Sequence, residues 1–488
     1  MAVEWSNSSP EVLIQLDRES AEPLRSQLQA QLRDAIRTGR LGPGERLPSS
    51  RDFARSLGVA RGTVQDCYEQ LRSEGYLVAQ TGSATRVADL RLEPTDAGNA
   101  GGAPGAGAPA TTAPAATTPI DDAPPPRRWL ADFASGVPDL GTVPRDDWTW
   151  ALREATRTAP NAAFDYGDPR GDADLRTVVA SYLRRVRGMS AHPGQVVVCA
   201  GFAQGIALTF RALAERGMTR VAVEDPGSIG TVTRAAEAAG GTAVPVAVDG
   251  SGIDVDALDA SGARVVVLTP AHQWPTGVVL APERRHALIA WAERRDGVIV
   301  EDDYDAEFRY DREPVGSLQG IAPDRVVTLG TVSKSLAPAL RLGWTVAPAH
   351  LVDAVTAAKA AADRGAPTLD QVALARLIES GRYDRHLRRM RALYAARRDA
   401  LVTALREAAP RIPLTGLAAG FHAVAHLADG ADERAVIAAA AQRGVRLYGM
   451  STYRSTRSLQ PPRLVFGFGN TSVEEIRAGI AAVADLLG

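Results

Sequence analysis

The run TVSKSLAPALRLGW, Thr331 to Trp344, holds one of only two lysines in a chain of 488 residues. The other is Lys359, and every other residue among the 55 lysines and arginines is arginine. An amine retained at Lys334 points to chemistry that a guanidinium cannot perform. A desolvated lysine gives up its proton and condenses with a carbonyl to form a Schiff base. Lys334 follows a strand-like run, Arg325 to Leu329, and sits among Gly, Ser and Thr, whereas Lys359 lies in an alanine-rich helical run and reads as a surface lysine.

The neighbourhood of that run has a regular grammar. After Arg127, short valine-rich segments alternate with helix-like ones: 195–199, 219–224, 242–248, 264–268, 297–302, 325–329 and 342–347. This alternation predicts an α/β domain with a largely parallel sheet covered on both faces, and ligands in such sheets bind at the carboxyl ends of the strands. Glu301-Asp302-Asp303-Tyr304 closes one strand. Three acids together also suit magnesium, and Asp303 reads as part of a solvated turn. An amine plus an acidic strand end is what a pyridoxal phosphate site needs: a lysine for the Schiff base and an acid to hold the pyridinium proton.

Two further elements suit a phosphate. Ala200 to Gly205, with Gly201, Phe202, Ala203 and Gln204 between, joins a strand to a helix, where backbone N–H groups hold anions; the same loop also serves as a plain tight turn. Arg341, seven residues past Lys334, is able to clamp a phosphate with two parallel hydrogen bonds. No His or Cys cluster with metal-ligand spacing occurs. His422 and His426 are four apart, but their segment alternates like a strand and carries no Glu of a zinc motif. P-loop and Rossmann fingerprints are absent, and no metal site is expected.

The first ninety residues read differently. Leu24, Leu28, Leu32 and Ile36 mark one helix face, Ser49 with Asp52 caps a second helix presenting Phe53 and Leu57, and Gly58 stops it. A third helix aligns Val64, Tyr68 and Leu71. Gly75 to Val78 and Thr85 to Val87 follow as two short strands around Gly82, a helix-turn-helix with a β-wing. The segment from Arg25 to Arg86 is locally basic, and Arg51 and Arg61 stand at helix N-termini, where side chain and backbone together grip phosphate or reach a base. Net charge is only −2, so DNA binding must rest on this local surface.

From Leu90 to Pro126 the composition turns to Ala, Gly, Pro and Thr without hydrophobic periodicity, a flexible tether with a typical span of ~35 Å. From about His350 a helix-rich region, including 383–405, and short strands at 420–427 and 464–467 predict a small α/β subdomain on the large one. Two distant cysteines, Cys67 and Cys199, suit a reducing compartment. Glu4 and Glu11 stand where a signal peptide carries positive charge, and no apolar run reaches spanning length, so a cytoplasmic protein with no membrane partner is expected.

The residues quoted carry two resemblances. GPGERLPSSRDFARSLGVARGTVQDCYEQLRSEGYL followed by TGSATRV resembles the winged helix-turn-helix of GntR-type bacterial regulators. YGDPRG, GFAQG, HQWPTG, EDDYDAEFRY, SKSLAPALRLG and PPRLVFGFG resemble, in order and spacing, fold-type I aminotransferases. Together the chain resembles the MocR/GabR family of pyridoxal-phosphate-dependent transcription regulators. The resemblance implies a multidomain protein: a DNA-binding domain over 10–89, a linker over 90–126 and an aminotransferase-like domain over 127–488, its large part reaching to about 349 and its small part beginning near 350. It further implies that Arg51, Arg61 and Thr63 touch DNA, with Ser83 and Thr85 on the wing. Lys334 is implied as the Schiff-base lysine, Asp302 as the partner of the pyridine nitrogen and Tyr304 as that of the ring hydroxyl. Ser333, Arg341 and the 201–204 loop are implied at the phosphate, with Tyr166 reaching it from a second subunit. His272 or Gln273 lines the ring, and Arg463 receives a substrate carboxylate.

Three departures are visible. Ala60 replaces a capping Ser and Ala84 a wing glycine. GABA-responsive members carry an aromatic and an arginine shortly after Glu-Asp-Pro-Gly, where Gly227 is here followed by Ser228, Ile229 and Gly230. A GABA-like carboxylate is therefore not expected to be held in the same way, and Phe202 is the candidate to cover the ring. The function implied is a homodimeric regulator of promoter DNA that senses pyridoxal phosphate or an amino compound, in vitamin B6 or amino-acid metabolism. The alternatives are a working aminotransferase with an appended DNA-binding domain, and a repressor that binds a metabolite without the cofactor.

Overall fold

The computed structural model describes residues 16–18, 22–37, 41, 47–73, 76–78, 85–87, 129–305, 307–310 and 316–487. The chain divides into two compact units, one running to Thr118 and one from Pro119. The tether over 90–126 and the wing residue Ser83 lie outside the described residues.

In the first unit, α1 (Leu24–Arg37), α2 (Ser50–Leu57) and α3 (Arg61–Ser73) are followed by β1 (Leu77–Val78) and β2 (Arg86–Val87), an antiparallel pair. Leu28, Leu32 and Ile36 on α1 meet Phe53, Val64, Leu71, Leu77 and Val87 in one core. The Ser49 hydroxyl accepts the Asp52 amide at 3.2 Å and donates to its carboxylate at 2.7 Å, which satisfies an amide left free at the start of α2. Gly58 ends α2 at φ 63°, where its amide returns to the helix carbonyls; a side chain there would be strained.

The second unit is built on an eight-stranded sheet. Its order is Val196–Cys199, Gly343–Val346, Val326–Thr331, Val298–Asp303, Val265–Leu268, Arg220–Asp225, Thr242–Asp249 and Gly252–Ile253. Five consecutive strands, from 326–331 to 242–249, run parallel, while 343–346 is antiparallel to both neighbours. The valine-rich runs have a simple reason. Val221, Val223, Val265, Val267, Val298 and Val300 enter a core on one face, and Ala222, Val266, Leu268 and Ile299 enter another on the opposite face. Period-two alternation thus buries both faces, and the runs read as continuously apolar. Each fully buried side chain of this size contributes about 1.5–3 kcal/mol.

The remainder forms a smaller sheet, Leu414–Thr415, His422–His426, Arg463–Gly467 and Tyr448–Gly449, all antiparallel. The 27-residue helix Arg382–Ala408 buries Leu387, Met390 and Leu401 in a core shared with Phe466 of that sheet and Phe421 just before its second strand. Among the described residues, no helix is long and apolar enough to cross a membrane.

Candidate functional site

The strand Val298–Asp303 sorts its acids by parity, because adjacent side chains on a strand point to opposite faces. On one face the Glu301 carboxylate accepts the Ser317 hydroxyl at 2.5 Å and the Leu318 amide at 3.0 Å. Asp303 shares that face and pairs with Arg187, the two side chains only 7% and 5% exposed. Asp303 therefore does not belong to a solvated turn: the strand continues through it, and the guanidinium compensates its burial. Asp302 alone faces the other way, into a cavity of about 330 Å³ shared with Lys334 and Tyr304.

Lys334 lies just beyond the strand Val326–Thr331, and its Nζ donates to the Gly136 carbonyl at 2.6 Å. Burial lowers its pKa, opposed by the charges of Asp302 and Asp305. Burial also pushes the Asp302 carboxyl well above the usual carboxylate range, with the Asp303 charge adding to the effect and Lys334 opposing it. The amine and acid are thus both held toward their neutral forms, a state suited to a nucleophilic nitrogen and a shared proton. The Tyr304 hydroxyl donates to the His272 carbonyl at 3.1 Å, and burial raises its pKa well above the ordinary value.

The same cavity carries a cup of donors. Gly201 opens the helix Phe202–Ala214 with φ 84°, and a Cβ there would stand 3.3 Å from Thr331 Oγ1, 3.8 Å from Ser333 Oγ and 3.9 Å from Arg341 Nη1. The space in front of Gly201 is bounded by two hydroxyls, a guanidinium and a helix N-terminus, the donor set of a phosphate site. Thr331 Oγ1 donates to Ser333 Oγ at 2.9 Å and accepts the Ser333 amide at 3.1 Å, and the Arg341 guanidinium donates to the Ala200 carbonyl. These residues fit pyridoxal phosphate: one cavity brings together anion donors, a desolvated amine and an acid held toward its protonated form. The cavity falls in the ~300–1,000 Å³ range of small-molecule sites.

Of the residues named from sequence, Lys334, Asp302, Tyr304, Ser333, Arg341, Phe202 and Ala203 line this cavity. Gln204 stands behind it, its Oε1 accepting the Ala200 amide and its Nε2 donating to Asp363, each within 2.8 Å. Neither His272 nor Gln273 lines it. Gln273 is buried and spends its amide on the Pro226 and Trp274 carbonyls and on Thr276. The wall is supplied instead by Trp274, edge-on to Tyr304 and Tyr453, and by Gly136, Ser228, Thr231, Thr331 and Pro338. Trp274 was legible as the aromatic inside HQWPTG; the others had no local signal. Tyr166 is 72% exposed beneath the Arg364 guanidinium, away from this cavity. Arg463 begins a strand of the smaller sheet and does not line the cavity; its Nε is buried without a partner, and burial lowers its pKa.

Lys359 is not a surface lysine. It is fully buried on the helix Val352–Asp363, with its Nζ 2.6 and 2.7 Å from the Asp363 carboxylate oxygens, which also accept from Gln204. The alanine-rich run is the face by which this helix packs, so its one long side chain is carried inward.

Among the described residues, one cluster brings together groups far apart in sequence: His272, Asp305 and His422, all buried, each offering a donor atom within 4.8 Å of the others. Spacing along the chain gave no sign of it.

In the first unit, Arg51 and Arg61 are exposed at the starts of α2 and α3, and Thr63 is half-buried one turn into α3. Thr85 precedes β2, and its carbonyl accepts the Leu47 amide at 2.9 Å, which ties the wing to the approach to α2.

Comparison with known proteins gives the wider setting. The model for aminotransferase class I and II matches residues 130–482, and that for bacterial regulatory proteins of the gntR family matches residues 24–87. The HTH-type pyridoxine biosynthesis transcriptional regulator PdxR of Corynebacterium glutamicum is 33% identical over 97% of this chain and 98% of its own. The probable rhizopine catabolism regulatory protein MocR of Rhizobium meliloti is 33% identical over 96% of this chain and 94% of its own. An archaeal alanine:glyoxylate aminotransferase superposes with a TM-score of 0.66 at 27% identity, covering 73% of this chain and 90% of that one.

Proposed function

This chain belongs to the MocR-type HTH transcription regulators, in which a gntR-family DNA-binding domain precedes an aminotransferase class I and II domain, and from that premise we propose that it binds pyridoxal phosphate at Lys334 and reports the state of that site to promoter DNA. The observation that carries the reading is the single cavity in which a desolvated lysine, the buried Asp302 and the Gly201–Ser333–Arg341 cup converge. DNA reading is assigned to 10–89, the tether to 90–126 and sensing to 127–488.

Pyridoxal phosphate, when bound, supplies an aldehyde carbon that condenses with amines and a ring that withdraws electrons. The chain's own residues prepare for it. Burial disfavours the Lys334 ammonium and so raises the share of neutral nitrogen over that of an exposed lysine. Asp302 holds a proton at the ring nitrogen, Tyr304 holds the ring hydroxyl, and Ser333, Thr331, Arg341 and the Gly201 amide neighbourhood bind the phosphate. Trp274 and Phe202 line the cavity with aromatic surface.

With the cofactor bound, an amino compound entering the cavity would compete with Lys334 for it, and Arg463, which stands outside the cavity wall, would receive a carboxylate only on a ligand that reaches beyond that wall. Such a ligand shifts the protein between two conformations only by its differential affinity for them. In a homodimer, with Tyr166 reaching across to the partner's site, the shift would alter the spacing of two winged helices over paired half-sites. PdxR, named for pyridoxine biosynthesis, supports a role near vitamin B6 metabolism. The same residues would also serve residual transamination, so turnover is a second reading. Mapping the DNA retained by the full chain with and without pyridoxal phosphate tests the first: cofactor-dependent retention is expected, and identical maps in both conditions would refute it.

A further inference from the structure

The His272–Asp305–His422 cluster has no role in the reading above. Its arrangement is specific. His272 Nδ1 lies 2.8 Å from Asp305 Oδ2, and His422 bonds the Pro275 carbonyl through one ring nitrogen. In each ring the other nitrogen, Nε2, is buried with no hydrogen-bond partner. The two rings are 4.5 Å apart, centre to centre, and all three residues are about 1% exposed.

Such bare nitrogens are costly inside a protein, because a buried acceptor left unsatisfied loses its water without replacement. Two of them side by side next to a buried carboxylate form a donor set. A metal-ligating histidine holds its remaining N–H on a carboxylate or a backbone carbonyl, which fixes the tautomer and aims the lone pair. His422 has such a carbonyl, while Asp305, 2.8 Å from His272 Nδ1, stands beside that nitrogen as a donor in its own right. We propose that His272, His422 and Asp305 bind one divalent first-row transition ion, with zinc the best match to a closed, redox-silent site of imidazole and carboxylate donors. An ion holding donors at ~2.0–2.2 Å draws these three groups inward by under ~1 Å.

The placement gives the ion a task. His272 and Asp305 belong to the large sheet's loops, whereas His422 opens the central strand of the smaller sheet. Packing is already close there: a Cβ on Gly420 would stand 2.4 Å from Asp305 Oδ2 and 2.5 Å from the His272 ring. The ion would pin the small subdomain to the large one directly behind Tyr304, independently of whether the cavity holds a cofactor.

The test uses full-length protein purified without a histidine tag, stripped with a chelator and titrated with Co²⁺, whose visible absorption reports coordination by nitrogen and oxygen. One equivalent per chain is expected, displaced by Zn²⁺, with a zinc-dependent rise in melting temperature. His422→Gln and Asp305→Asn should each weaken binding at least ~10-fold. X-ray absorption at the metal edge of the wild-type protein should count two imidazoles, a readout that does not depend on the variants folding. Absence of Co²⁺ bands in the wild type, wild-type affinity in both variants, or an edge spectrum without imidazole would each overturn the proposal, leaving a buried water as the occupant of the gap.

Discussion

Arg187 grips Asp303 through two hydrogen bonds, Nε at 2.8 Å and Nη2 at 2.9 Å, on the face of the strand opposite Asp302. The pair holds the strand that presents the ring-facing acid, and neither partner has water to fall back on. Removing one member of a buried pair leaves an uncompensated charge and costs about 3–5 kcal/mol. Arg187→Ala should therefore lower the unfolding free energy of the C-terminal unit by that amount, read from the denaturant midpoint and slope. A loss below ~1 kcal/mol would show that the pair is not the support described.

Lys334→Arg and Lys334→Ala should both abolish the visible absorbance that pyridoxal phosphate gives when added to the wild-type protein, since neither side chain condenses with an aldehyde at neutral pH. Because burial lowers the Lys334 pKa, its neutral fraction at a given pH exceeds that of an exposed lysine, whose pKa is about 10.4. The rate of cofactor capture should rise with pH and level off below that value. A plateau at or above it would contradict a desolvated amine.

Gly201→Ala should weaken cofactor binding while leaving Lys334 in place. The added methyl points at Thr331, Ser333 and Arg341, and φ 84° is strained for any residue with a Cβ, at about 1–3 kcal/mol. An absorbance titration should show at least a tenfold rise in apparent Kd; an unchanged Kd would remove the phosphate from this cup.

Glu224 sets a pH dependence. Its carboxylate accepts the Thr269 amide at 3.0 Å and hydroxyl at 2.8 Å, and burial pushes its pKa up to about 7. Unfolded, a glutamate titrates near ~4.3. Between those values the folded state binds the extra proton, so stability falls as pH rises from about 4.3 to about 7 and is level above. Glu224→Gln should lose that component: the variant should gain on the wild type across the same window when melting temperatures are compared. Parallel profiles would place the raised pKa elsewhere.

For the DNA-binding unit, Arg61→Ala and Arg51→Ala should each lower retention of promoter DNA by the full chain. A lost phosphate contact should also reduce the slope of log affinity against log salt by about 1. Unchanged affinity and slope in both variants would move the interface off the starts of α2 and α3.

Much of this architecture was legible in the chain. The seven valine runs became seven strands, and in six of them, all but Thr242–Asp249, burial on both faces leaves a local, continuous signal. Lys334, Asp302, Ser333 and Arg341 were readable because a strand end and a composition anomaly are also local. Trp274 in place of His272 or Gln273 was a matter of which of three consecutive side chains turns inward, and the Gln273 amide is consumed by backbone carbonyls that no pattern announces. Asp303 and Lys359 were misread because each finds its compensating charge in three dimensions: Arg187 is 116 residues away, and Asp363, though only four away and itself exposed, reaches the buried Lys359 amine from the helix end. The His272–Asp305–His422 cluster joins two subdomains, and separations of 33 residues and more carry no periodicity to read.

The scarcity of lysine turns into an experimental asset. With Lys359 fully buried in its ion pair and Lys334 at the wall of the cavity, the folded chain offers amine-directed reagents one ε-amine that is both partly accessible and depressed in pKa. Acylation of the native protein, read by peptide mass, becomes an occupancy meter for the cavity. Lys334 is labelled when the site is open and spared when it is engaged, without any engineered probe.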